Sequence, residues 1–248
     1  MRNRRRSFQR SIAVAVVTSC VLPAVAVAAE LPSDAPTAPT LHQRLSTDTP
    51  VMVPLSVPVP ASVPVPTSDT FRRLDELGFP VGDGDPKSAE ARRGLCLARE
   101  FAGLAPVRTR LLPSEHSALS ALQTPLPAPD RAVDGLNVSI TCQAAYFVTD
   151  GVVERMFRVT TGAADSTPRG VFKVQRRTDG WRRSTLYPVM LYKPLNINGP
   201  IAVHGVPQPS FIRTAPASHG CVRVPNRGMD WLFPRLPIGA SVRVYGRW

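Results

Sequence analysis

Apolar residues follow two different rhythms along this chain. Between Thr70 and Phe101 they recur at helical spacing: Phe71, Leu74 and Leu77, then Ala91, Leu95, Leu97 and Phe101. Repeats of three and four residues keep one side of a helix apolar, so two helices are predicted. Gly78, Gly82, Gly84 and Pro86 break the run between them, and Ser88 is placed to cap the second. Ser114 to Leu122 leaves room for only a short third helix. Pro125, Pro127 and Pro129 then mark a linker. Beyond it the rhythm becomes alternation, at Val138, Ile140 and Cys142, at Tyr146 and Val148, and at Met156 and Val159. Alternation is the mark of strands with a buried face. Asp150-Gly151 and Asp179-Gly180 are turn pairs of the hairpin type. A last helix is expected from Arg227 to Leu236, beginning near Asn226 as cap. The pattern predicts a mainly β domain preceded by a small α-helical module over residues 69–124.

Upstream of Thr70 neither rhythm is present. Residues 1–29 read as an export signal, with a basic start, an apolar stretch from Ile12 to Val27, and small residues at Ala24, Ala26, Ala28 and Ala29. Residues 30–68 are a proline-rich linker, interrupted at Pro54, Pro58, Pro60, Pro64 and Pro66. Two features leave the export route open. Arg5-Arg6-Ser7-Phe8 resembles a twin-arginine signal, and Val17-Thr18-Ser19-Cys20 resembles a lipoprotein box in which Cys20 would carry a lipid anchor. Apolar residues continue past Cys20, which favours ordinary cleavage after it. The expected location is outside the cytoplasm, in the periplasm or cell wall.

Charge narrows the partners. Lys and Arg total 30 against 18 acidic residues, a formal charge of +12. Removing the five leader arginines (Arg2, Arg4, Arg5, Arg6 and Arg10) from 30 leaves 25 against 18, or +7. Such a balance favours anionic surfaces, including an anionic cell-wall polymer, or is simply a solvated basic exterior. Nucleic acid is not expected, because no Lys/Arg-rich run with interleaved aromatic residues follows the leader, and Arg176-Arg177 and Arg182-Arg183 are short pairs flanking a turn.

The chemistry concentrates near the C-terminus, in Ala217-Ser218-His219-Gly220-Cys221-Val222-Arg223-Val224, with His204-Gly205 upstream. A cysteine is an intrinsically strong nucleophile as its thiolate, and a neighbouring imidazole can take the proton. Read as extended chain, the run puts His219, Cys221 and Arg223 on one face and Val222 and Val224 on the other. Gly220 leaves room for a substrate backbone, and the amides of Gly220 and Cys221 are candidate oxyanion donors. A zinc site from His204, His219 and Cys221 is the weaker alternative, since structural zinc usually takes four ligands and no C-x-x-C pair exists.

The run S-H-G-C-V-R, with H-G upstream of it, resembles the signature of the L,D-transpeptidases with a YkuD-type catalytic domain. Further stretches are similar to the same family: Leu136 to Ile140 with Ala145 to Gly151, Phe157 to Gly162, Thr167 to Val174, Asn198 to Gly205, and Ile238 to Val244. The resemblance covers about residues 135–248. It implies a β-sandwich or partly closed barrel. It also implies a cysteine enzyme acting on the peptide stems of peptidoglycan. Cys221 would attack the donor tetrapeptide, expel the terminal D-alanine, and pass the acyl group from a thioester to a second stem, forming a 3→3 cross-link. His219 would serve as base, Ser218 and backbone carbonyls would orient the imidazole, and His204 with Gly205 would line the donor pocket. Arg223 would depress the thiol pKa and pair with a stem carboxylate, or else be a surface ion-pair residue. Tyr187 and Asn198 would lie near the cleft. No cofactor is implied, and carbapenem-type β-lactams are expected covalent inhibitors. Two other functions share these features: an L,D-carboxypeptidase, in which water takes the acyl group, and a non-catalytic wall-binding protein. Leu77 to Gly82 and Ala91 to Leu95 also faintly resemble a peptidoglycan-binding helical module, one that is reduced here; the alternative is a helical layer packed on the catalytic domain.

Cysteine usage follows from the expected compartment. If Cys20 leaves with the leader, Cys96, Cys142 and Cys221 remain, and an odd count leaves one thiol free. A Cys96–Cys142 bridge would leave Cys221 reactive and tie the helices to the β domain. Three unpaired cysteines are the alternative.

Overall fold

The computed structural model describes residues 67–83 and 85–248. The expected signal, Cys20 and nearly all of the proline-rich linker lie outside the described residues. Three helices come first: α1 (Thr67–Glu76), α2 (Ala89–Phe101) and α3 (His116–Ser120). The β region follows, with β1 (Gly135–Ser139), β2 (Ala144–Thr149), β3 (Val152–Arg158), β4 (Gly170–Lys173), β5 (Arg176–Arg177), β6 (Trp181–Arg183), β7 (Met190–Asn198), β8 (Ile201–Gly205) and β9 (Val222–Arg223). Helix α4 (Asn226–Arg235) and strand β10 (Ser241–Tyr245) close the chain.

The strands form two mixed sheets. One has the order β3-β2-β1-β10-β4; the other has the order β5-β7-β8-β9, with β6 also paired to β7. Leu136, Val138, Ile140, Ala145 and Phe147 of the first sheet pack against Leu195, Ile197, Val203 and Val222 of the second, with Met229 and Leu232 of α4. The fold is therefore a mainly β, two-sheet sandwich with few helices. The alternate residues of β2, Ala144, Tyr146 and Val148, face the opposite way into a second core with Phe71, Leu74, Leu95 and Leu119 of the helices. Both faces of β2 are covered, so Ala144 to Val148 are all buried. The helices form a layer on this sheet, and a disulfide between Cys96 of α2 and Cys142 pins it there.

Local signals mostly act as their chemistry dictates. Ser88 caps α2, its hydroxyl accepting from the Ala91 amide at 2.9 Å. Asp150-Gly151 forms the two-residue β2–β3 turn, with both residues at positive φ (50° and 74°). Asp179-Gly180 does not make a hairpin: β5 and β6 on either side both pair with β7. The turn instead sits opposite an irregularity in β7, where Lys193 donates its amide to the Gly180 carbonyl at 2.8 Å. Asn226 is the first residue of α4 rather than its cap. Its side-chain oxygen accepts from the Val206 amide at 2.8 Å, fastening the helix to the chain leaving β8.

Candidate active site

The site forms where β8 and β9 run parallel. Val203 pairs with Val222 and His204 with Arg223. The valines are fully buried in the sandwich core, so His204 and Arg223 project to the other face. Cys221, next to Val222, shares that face. The Ala202 amide points at its sulfur, 3.4 Å away. The regular strand is only two residues long, although burial still alternates from Ser218 to Val224 as the sequence suggested. What holds the irregular part is a neighbouring platform, residues 160–163. Thr160 and Arg223 exchange backbone hydrogen bonds at 3.0 and 2.9 Å, the Ala217 and Ser218 amides both reach the Thr161 carbonyl, and the Ala163 amide reaches the Ser218 carbonyl.

The turn before the cysteine is tight. Gly220 has φ +127°, and a Cβ there would lie 2.7 Å from Ile201 Cδ1 and 3.0 Å from the Ser166 carbonyl. Glycine is required here by both conformation and space. Ser218 was expected to orient the imidazole; instead its hydroxyl donates to the Cys221 carbonyl and accepts from the Gly220 amide at 3.1 Å. The hydroxyl spans the turn, and a turn this sharp needs such a local acceptor. That also engages the Gly220 amide and removes it from the candidate oxyanion donors, leaving the Cys221 amide.

The two histidines differ in almost every respect. His204 is 4% exposed, and its Nδ1 lies 2.6 Å from the Gly205 carbonyl. A carbonyl only accepts, so Nδ1 carries the proton. Burial pushes the ring's pKa down to about 4, so at neutral pH it is uncharged and Nε2 is a free acceptor. His219 is exposed and stacks on Tyr187, with ring centroids 4.3 Å apart and planes 18° from parallel. Burial raises the Cys221 pKa; the Ala202 amide and the Arg223 charge pull it down but are outweighed. The expected depression by Arg223 is present and loses to desolvation. Arg223 itself is half-buried, its guanidinium 5.6 Å from the Phe211 ring.

One cleft brings together Cys221, His219, Ser218, His204, Arg223 and Tyr187. Its rim is apolar, with Leu186, Val189 and Met190 all exposed. Asn198 is not part of it: the residue is exposed at the end of β7. Gly205 faces away from the cleft, and a Cβ there would collide with the Asn226 side chain and come within 2.9 Å of Tyr192. Its contribution to the cleft is its carbonyl, which holds His204. Cleft residues that the sequence did not single out are Phe211 and Met190, while Asn226 was expected only as a helix cap and the platform threonines were not expected as supports. Only Thr160 and Thr161 carried a signal, through the stretch Phe157 to Gly162.

The L,D-transpeptidase catalytic domain of the YkuD family matches residues 135–244. No curated protein matches the chain. Among solved structures, an L,D-transpeptidase from Xylanimonas cellulosilytica is 32% identical, covering 73% of this chain and 94% of that one, with a TM-score of 0.53. An L,D-transpeptidase from Stackebrandtia nassauensis is 21% identical over 73% of this chain and 90% of that one, with a TM-score of 0.46. The Xylanimonas match runs over nearly that whole structure, and the family model spans both paired strands and the free thiol of the cleft; the chain belongs to the L,D-transpeptidases and is an enzyme that modifies peptidoglycan.

Proposed function

We propose that the enzyme is exported and builds 3→3 cross-links through a thioester on Cys221, with His204 rather than His219 as the base. The observation carrying the assignment is the pairing of β8 with β9. It puts His204 and Cys221 on one face of adjacent strands, with Nδ1 of His204 held by the Gly205 carbonyl and Nε2 left to accept. This is the logic of a triad, in which the third group fixes the tautomer of the base. The raised thiol and the depressed imidazole favour a neutral resting pair. The proton therefore moves from Sγ to Nε2 as sulfur attacks the carbonyl between the L-centred diamino acid and the terminal D-alanine. The oxyanion takes the Cys221 amide, the imidazolium returns its proton to the leaving D-alanine nitrogen, and a thioester remains. An acceptor amine then loses a proton to His204 and attacks the thioester, which restores the thiol.

His219, stacked on Tyr187 at the cleft rim, serves substrate positioning in this scheme. Arg223 offers a planar fork to a stem carboxylate. The basic balance of the mature chain suits an anionic wall, and the Cys96–Cys142 bridge suits an oxidising compartment.

The test is the mass of products from disaccharide-tetrapeptides. Dimers lacking one D-alanine are expected from wild type and none from Cys221→Ala. His204→Ala should lower turnover by about 10²- to 10⁴-fold, the usual range for a lost general base. His219→Ala should act mainly on KM. A larger kcat loss in His219→Ala than in His204→Ala would overturn the assignment. Tripeptide monomers as the sole product would make the enzyme an L,D-carboxypeptidase. A carbapenem should label Cys221 covalently and leave Cys221→Ala unmodified.

A further inference from the structure

Gln143 sits in a place where the sequence would favour glycine or asparagine. Its φ is +52°, in the left-handed region that a glutamine rarely enters. It is also fully buried. Surrounding structure must hold such a residue there, and observed backbone strain is a pointer to function. The side chain shows why this residue is kept. Its amide grips Thr161 at two points: Nε2 donates to Thr161 Oγ1 at 2.6 Å, and Oε1 accepts from the Thr161 amide at 2.8 Å. Nε2 also donates to the Ile140 carbonyl at 2.8 Å, so both of its hydrogens are used. The main-chain carbonyl of Gln143 takes the Val159 amide at 3.0 Å.

Thr161 is the residue from which the reactive loop hangs. Its carbonyl receives the Ala217 amide at 2.9 Å and the Ser218 amide at 3.1 Å. The Ser218 hydroxyl in turn ties the Gly220 amide to the Cys221 carbonyl. The hydrogen bonds from Gln143 to Thr161, from the Ala217–Ser218 amides to Thr161, and from Ser218 to Cys221 all join buried or half-buried groups. Behind Gln143 the chain is anchored by Cys142, bonded to Cys96 of α2.

We propose that Gln143 is a positioning residue for the transpeptidase reaction. By fixing Thr161 it sets where the His219–Cys221 turn lies against β8, and hence where the sulfur lies relative to His204. It touches no substrate. This inference rests on Cys221 being the nucleophile. The chemistry of the clamp requires a group at position 143 that both donates and accepts. A neutral carboxylic acid can do both, and a carboxylate can only accept.

That asymmetry supplies the test. Gln143→Ala, Gln143→Glu and Cys221→Ala are compared with wild type for turnover of disaccharide-tetrapeptides, with melting followed at each pH. Gln143→Ala should lose about 10- to 100-fold in kcat, the scale of a misplacement near 1 Å, with KM changed by less than about threefold. Gln143→Glu should keep most of the wild-type turnover near pH 5, where the neutral acid still accepts from and donates to Thr161 and gives up only the bond to Ile140. It should fall by at least about tenfold relative to wild type by pH 8, as the new carboxyl ionises and its donor is lost. A folded Gln143→Ala enzyme with wild-type kcat overturns the proposal. So does a Gln143→Glu enzyme that follows the wild-type pH profile, or one that loses activity only in step with its unfolded fraction. If Gln143→Ala does not fold, Gln143→Glu carries the comparison alone. Turnover retained by Cys221→Ala would sink the nucleophile assignment instead, so the two failures are told apart.

Discussion

The two cores on either side of β2 are built on different principles. Between the sheets, Leu136, Phe157, Leu195, Val203 and Leu232 pack with at most 5% exposure, and shape and area hold the sandwich together. Between sheet and helices, the apolar residues are joined by charge. Arg93 and Arg99 are fully buried there, Glu100 meets Tyr245 at 2.6 Å, and the disulfide crosses the layer. The difference follows from the size of the helices. Helices of 10, 13 and 5 residues present few apolar side chains, and a thin layer cannot exclude water from a large area. Specific clamps make up the shortfall, and the reactive turn is fastened through this clamped region, by way of Cys142 and Gln143.

The largest effect should come from cutting the covalent clamp. The bridge spans 46 residues, and in the chain-entropy model a loop of this length contributes about 4 kcal/mol. Cys96→Ser with Cys142→Ser should lower unfolding free energy by about that amount in denaturant titration. Amide exchange should accelerate in α2 well before β7 and β8. Uniform acceleration across both cores would show that they unfold as one unit and that the contrast is only compositional.

A smaller loss, about 3 kcal/mol, is expected for Arg99→Met. Arg99 holds the Glu115 carboxylate with two bonds of 2.8 Å and also donates to the carbonyls of Val107, Thr109 and Arg110. Methionine fills the volume, takes the Arg99 donor from the three carbonyls, and leaves the Glu115 carboxylate with only the Leu112 amide. Arg93 provides the contrast. Its Nη2 donates to the Arg213 carbonyl and its Nη1 lies 3.5 Å from the Glu90 carboxylate, but Nε and Nη1 have no hydrogen-bond partner among the described residues, and burial pushes its pKa down to about 10. With one hydrogen bond against five, and a partly exposed ion-pair partner, Arg93→Met should cost about 1 kcal/mol, clearly less than Arg99→Met. Equal losses in the two variants would mean that bonding within the layer does not control its stability.

The same contrast explains what was legible beforehand. Strands, turns and the apolar helix faces were readable because they rest on period and local chemistry: Val138 and Ile140, Asp150-Gly151, Ser88. The chemical run was readable because Cys221, His219 and His204 are rare residue types close in sequence. What could not be read depends on partners far apart in the chain. The difference in setting between His204 and His219, on which the proposed division of labour rests, turns on burial and on one carbonyl, Gly205. Ser218 and Asn226 each found an acceptor or donor different from the expected one. Asn198 lies two residues before the cleft-lining Pro200 and still faces solvent. Arg93, Arg99 and Gln143 are polar residues on elements whose pattern says surface, and only the assembled layer makes them interior.

The smallest effect is a pH dependence confined to the helical layer, and its sign separates two carboxylates. Glu100 is pushed upward in pKa, mainly by burial, against the weaker opposing pull of the Tyr245 hydroxyl and Arg243. The fold therefore prefers it protonated. Its contribution is fully present below the unfolded pKa of about 4.3 and is lost as pH rises through the higher folded value. Glu115 behaves in the opposite way. The Arg99 hydrogen bonds hold its pKa down, so its contribution is present above the unfolded pKa and is lost as pH falls through the folded one. Glutamine at position 100 keeps an acceptor for Tyr245 and cannot ionise. Melting temperature followed from about pH 2 to pH 8 should fall less steeply on the alkaline side in Glu100→Gln than in wild type. Glu115→Gln should instead remove part of the decline on the acid side. Were Glu100→Gln to track wild type over the whole range, the buried carboxyl would be bearing no penalty, and the helical layer would be as wet as the surface its charges suggest.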